Sequence, residues 1–192
     1  MDICGVVLSG GKSSRMGKNK ALLEIKGKPA IKHIVEEMKD LSDRLVVVTN
    51  HPDDYHFLNL PLISDRYHNK GPLAGIETAM YHEDAAVFII AACDMPFVSR
   101  NIYRILLNKI DGYDAVVPVF ENQLHPMSGI YRRTTLPVIQ QKIEKDELKV
   151  KGFFSGLKVK YVDEFDGINQ EQLEKHFFNM NYPSQYLQAK DF

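Results

Sequence analysis

Apolar runs separated by amphipathic stretches set the first expectations for this chain. Cys4 to Leu8 is a five-residue apolar run that breaks abruptly into Ser9-Gly10-Gly11, which reads as a buried strand feeding a glycine loop. Ala85 to Ala92 is the most continuously apolar stretch, as expected of a central parallel strand covered on both faces. Arg44 to Thr49, Leu60 to Ser64, Asp114 to Phe120 and Leu157 to Val162 read as further extended pieces. Between them the period changes. After Pro29, Ile31, Ile34, Val35, Met38 and Leu41 recur at three- and four-residue spacing among charged residues. Pro72 is placed to start a helix carrying Leu73, Ile76 and Met80 inward. Ile102, Ile105, Leu106 and Ile110 mark a helix beginning near Ser99, and Thr134 to Glu144 another. Strands alternating with helices predict an α/β fold with a mostly parallel sheet. Glu121-Asn122-Gln123 turns the chain back into Leu124 to Tyr131, a hairpin that makes the sheet mixed. With 192 residues and 44% hydrophobic content, one domain spanning 1–192 can bury a continuous core.

The chemistry-bearing residues fall where the predicted strands end. From Ser9 to Lys20 the chain carries Lys12, Arg15, Lys18 and Lys20 and no acidic side chain. Glycines directly after a buried strand let main-chain N–H groups approach a ligand, and four cations suit a polyphosphate. A surface turn with solvated lysines is the alternative, but it has no need of Gly-Gly at that point. Gly11-Lys12-Ser13 supplies the end of a Walker loop, yet the required first glycine falls on Val6, and Gly-x-Gly-x-x-Gly has no match. Asp94 follows the central strand. A carboxylate there is costly to desolvate without a cation, and magnesium accepts one protein carboxylate when phosphates and water complete its shell, so Asp94 is the metal-ligand candidate. Its other reading, a helix cap, is better served by Ser99. Asn50 ends a strand on the binding side of such a sheet, while His51 and His56 read as solvated loop residues. N–H groups at the helix start Gly71-Pro72-Leu73-Ala74-Gly75 either face a ligand's oxygens or form a plain capped loop. The net charge of −1 argues against general nucleic-acid binding. No apolar run approaches the ~20 residues of a membrane span, and Met1-Asp2 leads straight into the first strand, so a cytoplasmic protein is expected. Cys4 and Cys93 read as buried free thiols, Cys93 also as a weak metal candidate.

LSGGKSSRMGKNKALL resembles LAGGxSxRMGxxKxLL, the signature loop of nucleotidyltransferases that activate small molecules with a nucleoside triphosphate, with Ser9 for the usual Ala. Asp65 followed by Gly71 to Gly75, Cys93-Asp94-Met95-Pro96, His125-Pro126-Met127, and Phe177 to Pro183 with Tyr182 in place of Thr extend the resemblance to the molybdenum cofactor guanylyltransferases. The resemblance implies a Rossmann-like nucleotidyltransferase fold, a three-layer α/β sandwich with a mixed central sheet. It implies transfer of GMP from Mg-GTP to molybdopterin, with nucleotide contacts at Leu8, Ser9, Gly10, Lys20, Asp65 and Asp94 and with Asp94 also on magnesium. A further contact is expected near Asn50. In this scheme Gly10 and Gly11 present N–H groups to the triphosphate, and Arg15 and Lys20 neutralise it. Asn179 and Asn181 are candidates for orienting the acceptor or metal waters. His125 is either a structural residue or a substrate contact, and Lys145 to Lys151 either a solvated face or the neighbourhood of the acceptor. GTP and molybdopterin are the implied partners, with other molybdenum cofactor biosynthesis proteins or apo-molybdoenzymes beyond them. CTP or a sugar phosphate would serve the same chemistry. A GTP-binding module without turnover is a separate class, distinguished by the absence of pyrophosphate release.

Overall fold

The computed structural model describes residues 2–10 and 19–192. In chain order the elements are β1 (Ile3–Leu8), the two-residue strands β2 (Glu24–Ile25) and β3 (Lys28–Pro29), α1 (Ala30–Met38), β4 (Arg44–Val48), β5 (Leu62–Ile63), α2 (Gly71–His82), β6 (Val87–Ala92) and α3 (Arg100–Leu107). They continue with β7 (Ala115–Phe120), β8 (Gln123–Leu124), β9 (Ile130–Arg132), α4 (Leu136–Glu144), β10 (Val159–Val162), α5 (Gln170–Phe177) and α6 (Pro183–Asp191). The main sheet runs β10-β7-β9-β6-β1-β4-β5, with β8 attached to β7 and β2-β3 forming a separate ribbon. β9 pairs antiparallel with both β6 and β7, while β6, β1, β4 and β5 are parallel, so the sheet is mixed and mainly parallel.

Helices cover both faces. Ile31, Ile34 and Met38 of α1, with Ile102, Tyr103 and Leu106 of α3, pack on one face against Val7, Val47 and Ile89. On the other, Leu73, Ile76 and Met80 of α2 and Ile139 and Ile143 of α4 meet Val6, Val46, Phe88 and Ile90. Strand β6 therefore buries alternate residues into opposite cores, and fully burying each such side chain contributes about 1.5–3 kcal/mol. The connection from α1 and the start of β4 pack closely on β1 because Gly5 has no Cβ: one built there would stand 2.7 Å from Leu45 Cδ1 and 2.9 Å from Ser42 Oγ.

Several elements are shorter or more broken than the pattern predicts. The expected strand Leu60–Ser64 contracts to β5, since Pro61 has no N–H to pair. Only β8 continues the expected hairpin directly; Pro126–Ser128 then makes a tight 3-10 turn, and β9 resumes between β7 and β6. Helix α4 starts at Leu136 after a short turn over Arg133–Thr135 and accommodates Pro137 in its first turn, where no N–H is required. Helices α5 and α6 and the β2-β3 ribbon do not appear in the sequence reading. Helix α6 packs Ala189 with Ile25, Ala30 and Met180, which brings the chain's last helix onto the segment that follows the glycine loop.

Candidate active site

The register of the parallel strands assembles the site. Leu8 lies opposite both Val48 and Ala92, and Val48 opposite Ile63, so β1, β4, β5 and β6 end nearly level. Hydrogen bonds carry that register past the strands: Ser9 N to Val48 O at 2.8 Å, Cys93 N to Leu8 O at 3.0 Å, and Thr49 N to Ile63 O at 2.8 Å. The next residue or two on each strand, Gly10, Asn50, Asp65 and Asp94, therefore emerge together. Connections leave β1 for β4 on one side and reach β6 on the other, which is the switch point where open α/β sheets hold ligands. A cleft of about 770 Å³ opens there, lined by Leu8, Gly10, Lys20, Asn50, Asp65 and Asp94 together with the start of α2.

Lys20 is the link between the two halves of this cleft. Its ammonium lies 3.0 Å from Asp94 Oδ2 and 2.9 Å from Asn181 Oδ1. Asn19 fixes its approach: Asn19 Oδ1 accepts from Ala21 N at 3.2 Å, capping the turn Lys20–Leu22, and Asn19 Nδ2 donates to Tyr55 Oη at 2.8 Å. From the far end of the chain, Met180 N donates to Asp94 O at 2.8 Å, and Gln185 Oε1 accepts from the amides of Asn181 and Tyr182, holding that bend in place.

Asp65 is braced differently. Its Oδ2 accepts from Asn50 Nδ2 at 2.8 Å and its amide donates to Asn50 Oδ1 at 3.1 Å, whereas Oδ1 is buried without a hydrogen-bond partner. Burial raises the Asp65 pKa above the ordinary carboxylate value, and the Asn50 hydrogen bond opposes that rise. Gly75 borders this carboxylate: a Cβ there would stand 3.0 Å from Leu8 Cδ2 and 3.6 Å from Asp65 Oδ1. Behind the loop, Arg66 N donates to Thr78 Oγ1 at 3.0 Å and the Arg66 guanidinium pairs at 2.5 Å with Glu77, which is fully buried and also accepts from Gln140 at 2.9 Å.

The sequence profile described as the MobA-like NTP transferase domain matches residues 5–157, a span that contains the cleft-side end of every strand of the cleft. The chain belongs to that family. A probable molybdenum cofactor guanylyltransferase from Carboxydothermus hydrogenoformans is 38% identical over 181 residues, covering 94% of this chain and 91% of the relative. Another with the same name from Pelotomaculum thermopropionicum is 31% identical, covering 97% and 91%. Among solved structures, molybdopterin-guanine dinucleotide biosynthesis protein A from Archaeoglobus fulgidus superposes with a TM-score of 0.83 at 24% identity, covering 98% and 97% of the two chains, which shows the shared fold.

Of the residues singled out from sequence, this NTP transferase domain brings Leu8, Gly10, Lys20, Asn50, Asp65 and Asp94 onto one cleft. Ser9 lies beneath its floor: its amide is used by Val48 and its hydroxyl donates to Tyr55 Oη at 2.6 Å, so the carbonyl is its remaining polar group. Gly11 and Arg15 lie outside the described residues. Cys93 borders the cleft but is mostly buried, and desolvation pushes its thiol up to about 11, which keeps it protonated. His51, read as a solvated loop residue, is exposed but stands on the rim of the cleft. Tyr55, Glu77 and Gln185 carry no sequence signal, because each acts through a contact made only by folding. Asn19 carried one: an Asn directly before a short turn is a capping residue. Among the described residues no cluster of three or more His, Cys, Asp or Glu side chains could hold a metal, and no helix is long and apolar enough to cross a membrane.

Proposed function

We propose that this chain transfers GMP from Mg-GTP to molybdopterin, releasing pyrophosphate and forming the guanine dinucleotide cofactor. The observation that carries the reading is the Lys20–Asp94–Asn181 constellation at the level ends of β1 and β6, in a chain of this family. In the reaction an acceptor phosphate oxygen forms a bond to the α-phosphorus of GTP while the bond from that phosphorus to the bridging oxygen breaks, and pyrophosphate leaves. A phosphate monoester is already anionic, so the chain need not supply a general base. Its task is electrostatic. Lys20 can exchange one of its oxygen partners for a phosphate oxygen and so neutralise charge as it develops, and the Gly10 backbone admits the triphosphate without steric obstruction.

The donor chemistry at Asp94 suits magnesium. Asp94 Oδ2 and Asn181 Oδ1 are both oxygens and already share one cation, the Lys20 ammonium. Asp94 would hold the ion, which when bound polarises the phosphate oxygens. Asp65, stiffened by Asn50 and carrying a buried oxygen without a partner, is suited to accept a hydrogen bond from the nucleoside. Handover to other cofactor-assembly proteins or apo-molybdoenzymes, and a cytoplasmic site of action, accord with this reading. The test is a thermal-shift panel of GTP, CTP, ATP and UTP with magnesium on wild type and Asp94→Ala, followed by pyrophosphate release with molybdopterin as acceptor. Selective stabilisation by GTP that weakens in Asp94→Ala, with acceptor-dependent pyrophosphate release, is the expected result. Selectivity for CTP, or no release with any nucleotide, would overturn the reading.

A further inference from the structure

We propose that a second, smaller cavity beside the nucleotide cleft seats the pterin ring of the acceptor; this rests on the guanylyl-transfer reading above. The cavity has a volume of about 260 Å³ and lies between the end of β7, which contributes Phe120, and the end of α5, which contributes Glu174 and Phe177. Asn179 lines both this cavity and the nucleotide cleft, so the two spaces share a wall. The volume sits just under the ~300–1,000 Å³ range of sites for drug-sized ligands, which suits a bicyclic ring and is too small for a nucleotide.

Its lining matches a flat, conjugated, hydrogen-bonding heterocycle. Phe120 and Phe177 stack with centroids 5.1 Å apart and planes 19° from parallel, and His125 lies 4.4 Å from Phe177. A stacked pair of this kind takes a further aromatic ring against its edges or its outer face, while the edge of a pterin, carrying an amino group, a ring N–H and an oxo group, requires polar partners. Two are at hand. Glu174 uses one carboxylate oxygen for Gln170 Nε2 at 3.1 Å, leaving the other for a ring donor. His125 Nε2 is buried with no hydrogen-bond partner, an expensive state that a ligand with both donors and acceptors on its edge relieves in either imidazole tautomer. Burial holds His125 below the ordinary histidine pKa, and Lys151 is near enough for its charge to act in the same direction. Glu121 opposes that effect, and with Glu174 it gives the cavity two carboxylates, which suit the donor groups of the ring's edge and leave the anionic arm to Lys20. With the ring seated here, the phosphate arm runs past Asn179 toward Lys20 and Asp94.

The experiment uses the full chain, 6-hydroxymethylpterin as a fluorescent probe, and molybdopterin as the acceptor in steady-state kinetics. Wild type should quench the probe saturably. Glu174→Gln, at an exposed position that leaves the fold intact, and His125→Leu, which fills the ring's space, should each weaken probe binding about tenfold or more, the size expected for losing a hydrogen bond to a charged or buried group. KM for molybdopterin should rise by a similar factor, while GTP affinity stays at the wild-type value. No probe binding by wild type, or wild-type probe binding and acceptor KM in both variants, would overturn the proposal. A wild-type enzyme that binds the pterin but releases no pyrophosphate from GTP and molybdopterin would instead overturn the transfer reading.

Discussion

Lys20 is held by two oxygens, and in the ion pair with Asp94 both side chains are only about one-fifth exposed. Removing the ammonium takes away the charge that the proposed reaction uses and leaves Asp94 facing the cleft without this cation. Lys20→Ala should therefore lower kcat by ~10²–10³, the cost of losing one preorganised charge-stabilising group, with the melting temperature close to wild type. Pyrophosphate release checks the first and calorimetry the second; wild-type turnover would remove Lys20 from the mechanism. Glu77 has the opposite profile. It is fully buried on α2, and its loss leaves Arg66 and Gln140 without their shared partner. Glu77→Ala should cost about 3 kcal/mol, at the lower end for a broken buried pair because Arg66 keeps partial solvent access. Urea unfolding measures this directly, and a loss below about 1 kcal/mol would show that Glu77 is not the brace of the Asp65–Arg66 loop.

Helix α5 shows how an element supports the site from outside it. Asn169 Oδ1 accepts from Gln172 N at 2.9 Å and Gln172 Oε1 accepts from Asn169 N at 3.0 Å, a reciprocal cap on the helix that carries Glu174, His176 and Phe177. Asn169→Ala should destabilise the protein by about 1 kcal/mol, read from the urea midpoint, and an unchanged midpoint would show that the cap adds nothing. This helix also marks the boundary of what was legible in the sequence. The elements around β1, β4 and β6 were readable because each buries a continuous apolar run or a clear helical stripe, and their ends carried glycines and isolated polar residues. Helix α5 has Leu173, His176 and Phe177 as its inward residues among Gln, Glu and Lys, too sparse a stripe to announce itself. The same limit applied to the site. Gly10, Lys20 and Asp94 were visible as loop and strand-end residues, but the hydrogen bond from Met180 N to Asp94 O and the Lys20–Asn181 contact depend on α6 packing against β2-β3, a long-range event with no local pattern.

Across the whole molecule, acid stability is governed by a buried histidine that the reaction does not use. His176 is fully buried, its Nδ1 accepting from Ser99 N at 2.8 Å, so the neutral ring carries its proton on Nε2 and donates to Ser128 Oγ at 2.8 Å. Desolvation, reinforced by the nearby His125, lowers its pKa from 6.5 to about 3. Below about pH 6.5 the unfolded chain takes up a proton that the folded chain refuses, so stability falls as the pH drops toward 3. At ~1.4 kcal/mol per pH unit, the protein should be roughly 2 kcal/mol less stable at pH 5 than at pH 7 from this group alone. His125 adds in the same sense, while the raised Asp65 works the other way nearer its own, lower range. Urea midpoints at pH 7, 6 and 5 test this against His176→Phe, whose slope should be flatter; equal slopes would exonerate His176. The contact between Lys20 and Asn181 bridges 161 positions of sequence, and its consequence concerns the order of synthesis. Because the chain leaves the ribosome from its N-terminus, the sheet and its flanking helices can form while the residues that complete the cleft are still being made. A nascent chain stalled after β10 would hold a nearly finished scaffold and an incomplete cleft, so the Lys20–Asn181 contact arrives only once the segment beyond β10 has been translated.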